Sequence, residues 1–252
     1  MRLLITNIGI LAGIDNHRKL RLSGKEMSRF ETLTDAWLLV EDGRFSKWGC
    51  MAAMPTEGIS ADQTVDAQGG CVMPSWCDPH THIVYAGSRE GEFVDKIRGL
   101  SYAEIAKRGG GILNSADLLH TFSEDELYRE AMHRAEEIMR KGTGCVEIKS
   151  GYGLTTEDEL KMLRVIRRIK ESTPLRIKST FLGAHAVGRG YTQADYVDLV
   201  VNEMIPEVGR EKLADFVDVF VGRCGSRSQT RRPLRGPSRE HDRGGNRTAA
   251  RH

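Results

Sequence analysis

Two histidines one residue apart, in Asp78-Pro79-His80-Thr81-His82, are the sharpest chemical feature of the chain. In extended backbone, side chains at i and i+2 leave one face with their Cα atoms roughly 6.6 Å apart. Two neutral imidazoles so placed can turn toward one ion with metal–nitrogen distances near ~2.1 Å. Imidazole nitrogen suits zinc or iron(II), whereas magnesium and calcium require oxygen. The plainer reading is two surface histidines flanking a turn, and His-x-His spacing alone does not separate the two. Position adds weight: the stretch Cys71-Val72-Met73-Pro74-Ser75-Trp76-Cys77 reads as a buried strand running into the pair. Sites in α/β folds sit at the C-terminal ends of strands.

Three further polar residues follow other predicted strands or loops. Arg89, in Ala86-Gly87-Ser88-Arg89-Glu90, could clamp a carboxylate with two parallel hydrogen bonds. Its plainer reading is an ion pair with Glu90, Glu92 or Asp95. Tyr152, in Ser150-Gly151-Tyr152-Gly153, offers a hydroxyl where flanking glycines let backbone approach a ligand. Otherwise this is a glycine-rich turn with a packing tyrosine. His185, in Phe181-Leu182-Gly183-Ala184-His185, lies just beyond a strand, where a lone histidine is most often a core or capping residue. Glu147 and Lys149 share one strand face and can pair as scaffold.

The elements that must position these residues change character along the chain. Residues 1–70 read as a β-rich module, with Asp42-Gly43 between apolar runs as a hairpin signal. From residue 71, strands near 74, 147, 179 and 218 alternate with helices. Ser123 and Glu126 form a capping box for a helix to Lys141, which Gly142 ends. Thr156 with Glu159 is read the same way for a helix through Lys170, and Gln193 to Met204 is a third. This alternation implies parallel crossovers, in either a (β/α)8 barrel or a doubly wound sheet. Gly109-Gly110-Gly111 lacks dinucleotide-loop spacing, and no phosphate-binding P-loop motif occurs.

Composition sets the bounds. The 252 residues are 39% hydrophobic and 29% charged, ordinary for a globular chain. Five cysteines without a Cys-x-x-Cys pair indicate neither disulfides nor a thiolate zinc site. Absence of a long apolar run and of a leader-like N-terminus leads to an expectation of a cytoplasmic protein without a membrane partner. The net charge of +2 hides a break. Residues 221–252 contain nine Arg, no Lys and two acids, a net +7 that leaves −5 over residues 1–220. So little apolar surface cannot offset chain entropy, and disorder is expected there. The tail reads as a solvated end, as an arginine-rich arm for RNA phosphates, or as translation in a shifted frame; its abrupt Lys-free bias favours the last.

The chemistry-bearing segments resemble the imidazolonepropionase family, metal-dependent members of the amidohydrolase superfamily. The likeness runs through Met73-Pro74, Asp78-Pro79-His80-Thr81-His82, Tyr85-Ala86-Gly87-Ser88-Arg89-Glu90, Glu147-Ile148-Lys149-Ser150-Gly151-Tyr152-Gly153-Leu154, Phe181-Leu182-Gly183-Ala184-His185-Ala186 and Ala214-Asp215-Phe216-Val217-Asp218-Val219-Phe220. Trp76 and Gly188-Arg189-Gly190 are small departures. The resemblance implies an α/β fold: a partial TIM-like barrel over 71–220, with 1–70 as half of a β-sandwich. It implies hydrolysis of 4-imidazolone-5-propanoate to N-formimidoyl-L-glutamate in histidine degradation, with one zinc or iron ion per chain. By that likeness His80 and His82 are metal ligands, Arg89 grips the propanoate, and Tyr152 and His185 contact the substrate, His185 as a catalytic group polarising the ring. A related amidohydrolase of another cyclic amide is the alternative, and nucleic-acid binding through the tail a remoter one. The family also admits a homodimer. Its further ligands, a His and an Asp on later strands, have no match after Phe220, and His241 and Asp242 stand in the wrong context. The chain as written is therefore expected to be truncated and inactive.

Overall fold

The computed structural model describes residues 1–14, 21–55, 57–101, 104, 110–223 and 226–233. Gly109, Cys224 and residues 234–252 of the tail, His241 and Asp242 among them, lie outside the described residues. The chain divides into two compact units, with the boundary between Ser75 and Trp76.

The first unit is a five-stranded sheet of β1 (Arg2–Ala12), β2 (Thr32–Glu41), β3 (Arg44–Cys50), β4 (Gln63–Asp66) and β5 (Cys71–Val72). The order is β3-β2-β1-β4, with β5 also paired to β1. β2 and β3 join through Asp42-Gly43, both at positive φ (49° and 73°). That is the type I′ turn whose twist suits a two-residue hairpin. The strands carry apolar residues on both faces, Ile8, Leu11, Ala36 and Leu38 in one cluster and Leu4, Trp37 and Leu39 in another. The single strand expected over 71–77 is corrected here. Cys71–Val72 pairs with β1, and a new strand starts at Trp76 in the second unit. Pro74 lies between the two segments and lacks an amide for either ladder.

The second unit holds β6 (Trp76–Thr81), β7 (Thr143–Lys149), β8 (Arg176–Ala184), β9 (Phe216–Arg223) and β10 (Ser226–Pro233) in the order β10-β9-β8-β7-β6. β6 to β9 run parallel and in chain order. Helices α1 (Glu90–Ile97), α2 (Ile112–Thr121) and α3 (Glu124–Arg140) lie between β6 and β7, and α4 (Thr156–Ser172) between β7 and β8. Ser123 caps α3 reciprocally with Glu126, as expected. Apolar faces of α3 and α4, among them Leu127, Ala131, Leu163, Ile166 and Ile169, bury against Val146, Ile148, Ile177 and Phe181. That burial is the main source of the unit's stability.

Three local expectations change. The N-cap of α4 is Thr155, whose Oγ1 accepts from Asp158 N, rather than Thr156 paired with Glu159. The third helix continues beyond Met204. α5 (Gln193–Leu199) passes through a π turn (Val200–Met204) into α6 (Ile205–Glu211). Pro206 lacks the amide an α-helix needs there, and a wider turn accommodates the gap. Finally, Ser226–Pro233 of the Arg-rich tail pairs antiparallel with β9, where no ordered element was expected. Backbone donors and acceptors at an open sheet edge recruit a strand whatever side chains it carries. Among the described residues no helix is long and apolar enough to cross a membrane.

Candidate active site

The C-terminal ends of β6, β7 and β8 lie side by side, and each delivers a residue singled out above. β6 reaches this end through an irregular ladder. Its register to β7 shifts between Trp76 and Cys77 and again between Asp78 and Thr81. Pro79 interrupts amide donation there, and the Thr81 hydroxyl donates to the Glu147 carbonyl at 2.7 Å. His80 and His82 flank that anchor. The following segment is held from α3, where Arg134 donates to the carbonyls of Ile83 and Tyr85 (3.0 and 3.1 Å) and stacks over the Tyr85 ring at 3.6 Å.

His82 is the hub. Its ring centre lies 5.6 Å from His80, 5.0 Å from Tyr152 and 5.2 Å from His185, the last as a near-parallel stack tilted by 9°. Tyr152 and His185 are 5.4 Å apart, and Phe220 meets His185 edge-on at 5.9 Å. A cavity of about 220 Å³ opens here, lined by His82, Tyr85, Arg89, Ser115 and Tyr152 among others. The geometry thus brings His80, His82, Arg89, Tyr152 and His185 to one place. Arg89 also makes the ion pair anticipated for it, with Nε and Nη2 on Glu92 Oε2 at 3.0 and 2.6 Å. Glu92 Oε1 accepts from Gly111 N at 2.8 Å, tying that pair to the loop before α2.

Burial sets the protonation of the cluster. Burial pushes the His82 imidazole down to about 3, helped by His185, His80 and Lys149 and opposed by a Ser150 backbone hydrogen bond. The ring is neutral at pH 7, and its buried Nδ1 has no hydrogen-bond partner among the described residues. Burial lowers His185 as well. Its Nδ1 lies 3.0 Å from the Gly151 carbonyl oxygen. A carbonyl only accepts, so Nδ1 carries the proton and Nε2 keeps a lone pair. Burial raises the Tyr152 hydroxyl, against the nearby Arg89 guanidinium, so it remains a donor at neutral pH.

Beneath the cluster, Lys149 Nζ bridges Glu147 Oε1 (2.8 Å) and Asp218 Oδ2 (2.9 Å), and the Thr180 hydroxyl donates to Glu147 at 2.6 Å. All four side chains are buried. This scaffold joins β7, β8 and β9. Sequence reasoning missed Glu159, assigned above to a cap; it is fully buried and turned toward the loop 151–154. A run of glycine amides just before a helix needs an acceptor, and that was the available signal. A second cavity, about 320 Å³, is lined by Asp117, His120, Asp158 and Arg189 with residues 153–155. Its charges are internally matched, Arg189 with Asp117 and both His120 and Lys161 with Asp158.

As donors, His80 and His82 match in kind what a zinc or iron ion takes, and the partnerless Nδ1 of His82 marks an unused lone pair. In number they fall short. No group of three or more His, Cys, Asp or Glu able to hold an ion occurs among the described residues, and catalytic zinc ordinarily has three protein ligands.

No family model matches the chain. A curated imidazolonepropionase of Christiangramia forsetii is 53% identical over 222 residues, and one of Flavobacterium psychrophilum is 54% identical over 224. The matches cover 87% and 88% of this chain and 54% of each relative, so the chain spans about half the length of the curated relatives it matches. Among solved structures, a 5-methylcytosine deaminase of Klebsiella pneumoniae liganded with 5-fluorocytosine is similar in fold. Its TM-score is 0.51 at 16% identity, over 86% of this chain and 42% of that one. Over the matched residues, about half of them identical, the chain resembles the imidazolonepropionases.

Proposed function

We propose that the protein serves the hydrolysis of 4-imidazolone-5-propanoate to N-formimidoyl-L-glutamate, with β6 to β9 as the first strands of a TIM-like barrel and the first unit as part of a flanking β-sandwich. The observation that carries this reading is the His82 cluster, with two further imidazoles and a phenol within 5.0 to 5.6 Å of one ring. Water adds to the ring carbonyl carbon and the ring C–N bond breaks, leaving a carboxylate and the formimidoyl nitrogen. His80 and His82 would hold a zinc or iron ion, which when bound lowers the pKa of water toward ~7 and polarises the carbonyl. With two donors described, this chain by itself is expected to hold zinc weakly.

The remaining roles follow from the groups present. Arg89, oriented by Glu92, offers a planar fork to the propanoate carboxylate. Tyr152 stays protonated and donates to the ring. His185 presents its Nε2 lone pair, which accepts a ring N–H and holds the heterocycle in register with the two other imidazoles. A small-molecule substrate accounts for the cavity's size.

Two measurements test this. Calorimetric titration of the 252-residue chain compares imidazolone propanoate with the same ring lacking its propanoate arm. The acid should bind at least about tenfold tighter, and Arg89→Met should erase the difference. Equal affinity in the unaltered chain removes Arg89 from the site. For turnover, residues 76–216 are exchanged into the Flavobacterium psychrophilum relative. A folded, zinc-loaded graft that releases no N-formimidoyl-L-glutamate overturns the function.

A further inference from the structure

We infer that Glu159 is the positioning residue of this site: by holding the backbone of Gly151, Gly153 and Leu154, its carboxylate sets where Tyr152 stands and which nitrogen of His185 carries the proton. The functional meaning rests on the reading of Tyr152 and His185 as substrate contacts; the geometry does not.

Glu159 sits in the first turn of α4 with no solvent exposure. Its Oε2 accepts from Gly151 N at 2.9 Å, and its Oε1 accepts from Gly153 N at 2.7 Å and Leu154 N at 3.1 Å. Burial holds the carboxyl above its ordinary range, although the Ser150 hydroxyl and these three amides pull it down. Four donors converging on two oxygens leave no acceptor for an added proton, which is the surrounding of an ionised carboxylate. Successive amides aimed at one point form a nest, an arrangement that elsewhere cradles phosphate or a metal cluster. Here an internal carboxylate fills it. The backbone takes the required shape through positive φ at Gly151 (111°) and Leu154 (56°). Space demands glycine twice: a Cβ at Gly153 would fall 2.4 Å from Glu159 N, and one at Gly151 would fall 2.9 Å from His185 Nδ1.

The consequence passes through Gly151. Its amide is fixed by Glu159 and its carbonyl accepts from His185 Nδ1, so one residue links the carboxylate to the imidazole. Tyr152 stands between two clamped glycines. Just upstream, Ser150 N donates to Thr180 O, and Ser150 Oγ accepts from Leu182 N. The loop is therefore anchored to β8 at one end and to α4 along the rest.

Glu159→Gln separates this role from bulk. Its remaining carbonyl oxygen can keep Gly153 and Leu154, which share one acceptor, and its NH2 then faces the Gly151 amide, donor against donor. Hydrogen exchange should be about tenfold faster at Gly151 with Gly153 and Leu154 little changed. In 15N spectra His185 should shift from the Nδ1–H form toward a tautomer mixture. Ile169→Ala, ten residues along the same helix in the core, should lower the melting temperature and leave His185 unmoved. Unchanged Gly151 exchange and His185 signals in folded Glu159→Gln, or the same change in Ile169→Ala, overturn the inference. Should Glu159→Gln not fold, the unaltered chain decides. There an Nε2-protonated His185 or unprotected amides at 151, 153 and 154 overturn the inference, and the Nδ1–H form with all three protected upholds it. None of these readouts needs metal or turnover, so the inference and the hydrolase reading can fail separately.

Discussion

The two flanks of the site are held by different means. On the β7–β8 flank, Tyr152 and His185 rest on buried groups: the Lys149 bridge, the Ser150 contacts and the Glu159 clamp. On the β6 flank, His80 is exposed at the end of a strand whose ladder slips twice, and Arg89 is positioned by a surface ion pair with Glu92. Trp76, at the start of the same strand, is 60% exposed. Among the described residues β6 is a sheet edge, paired on one side by β7. Precise placement comes where backbone groups and charges are removed from water, because an unmade bond there carries a full desolvation penalty. The groups proposed to contact substrate lie mostly on the stiff flank, and the first metal donor lies on the loose one.

The sharpest way to break that contrast is to disarm the stiff flank. Lys149→Met leaves Glu147 and Asp218 buried without their cation. We expect a loss of about 3–5 kcal/mol in urea denaturation. Replacing all three by apolar residues of similar volume should recover much of it, since the desolvation cost disappears with the charges. A Lys149→Met variant as stable as the parent would mean the bridge does not hold the flank. Gly151→Ala comes next. A side chain at φ 111° and in contact with His185 should cost about 1–3 kcal/mol and displace the imidazole, read as a change in the His185 15N signals.

How much of this was legible in the sequence depends on the range of the interactions. Local signals carry their own partners. Ser123 with Glu126 marks a helix start, Asp42-Gly43 marks a hairpin, and strand–helix alternation marks a parallel sheet, all within a few residues. The proximity of His82, Tyr152 and His185 was readable one level higher, because parallel strands put their C-terminal ends together. What stayed hidden needed knowledge of distant neighbours. Glu159 reads as a cap until the loop of 151–154 is seen to aim its amides at it. Cys71–Cys77 reads as one strand until β1 captures the first half and β7 the second. Ser226–Pro233 reads as solvated tail because its pairing uses backbone, which side-chain composition does not report.

Acid distinguishes the flanks less strongly. Burial works to raise Asp158, yet Lys161, His120 and Thr155 hold it below the usual carboxylate range. A depressed carboxylate contributes stability that is present above its unfolded value near 3.8 and is lost as pH falls through the lower folded value. Denaturation between pH 4 and pH 2 should therefore show a steeper fall in the parent than in Asp158→Asn, and parallel curves would mean that the Asp158 pairs contribute nothing to acid sensitivity.

The smallest effect is expected on the loose flank. Glu92→Gln keeps an acceptor for Gly111 N and removes the charge that holds Arg89. An exposed pair of this kind is worth about 0–1 kcal/mol, and the urea midpoint should hardly move. Arg89 should nevertheless sample more orientations, so affinity for a propanoate-bearing ring should fall while affinity for the bare ring stays level. A stability loss above about 2 kcal/mol would put the two flanks on the same footing and end the contrast. An unchanged propanoate preference would mean that Glu92 does not orient the guanidinium, because the fork would then find the carboxylate without its neighbour's charge.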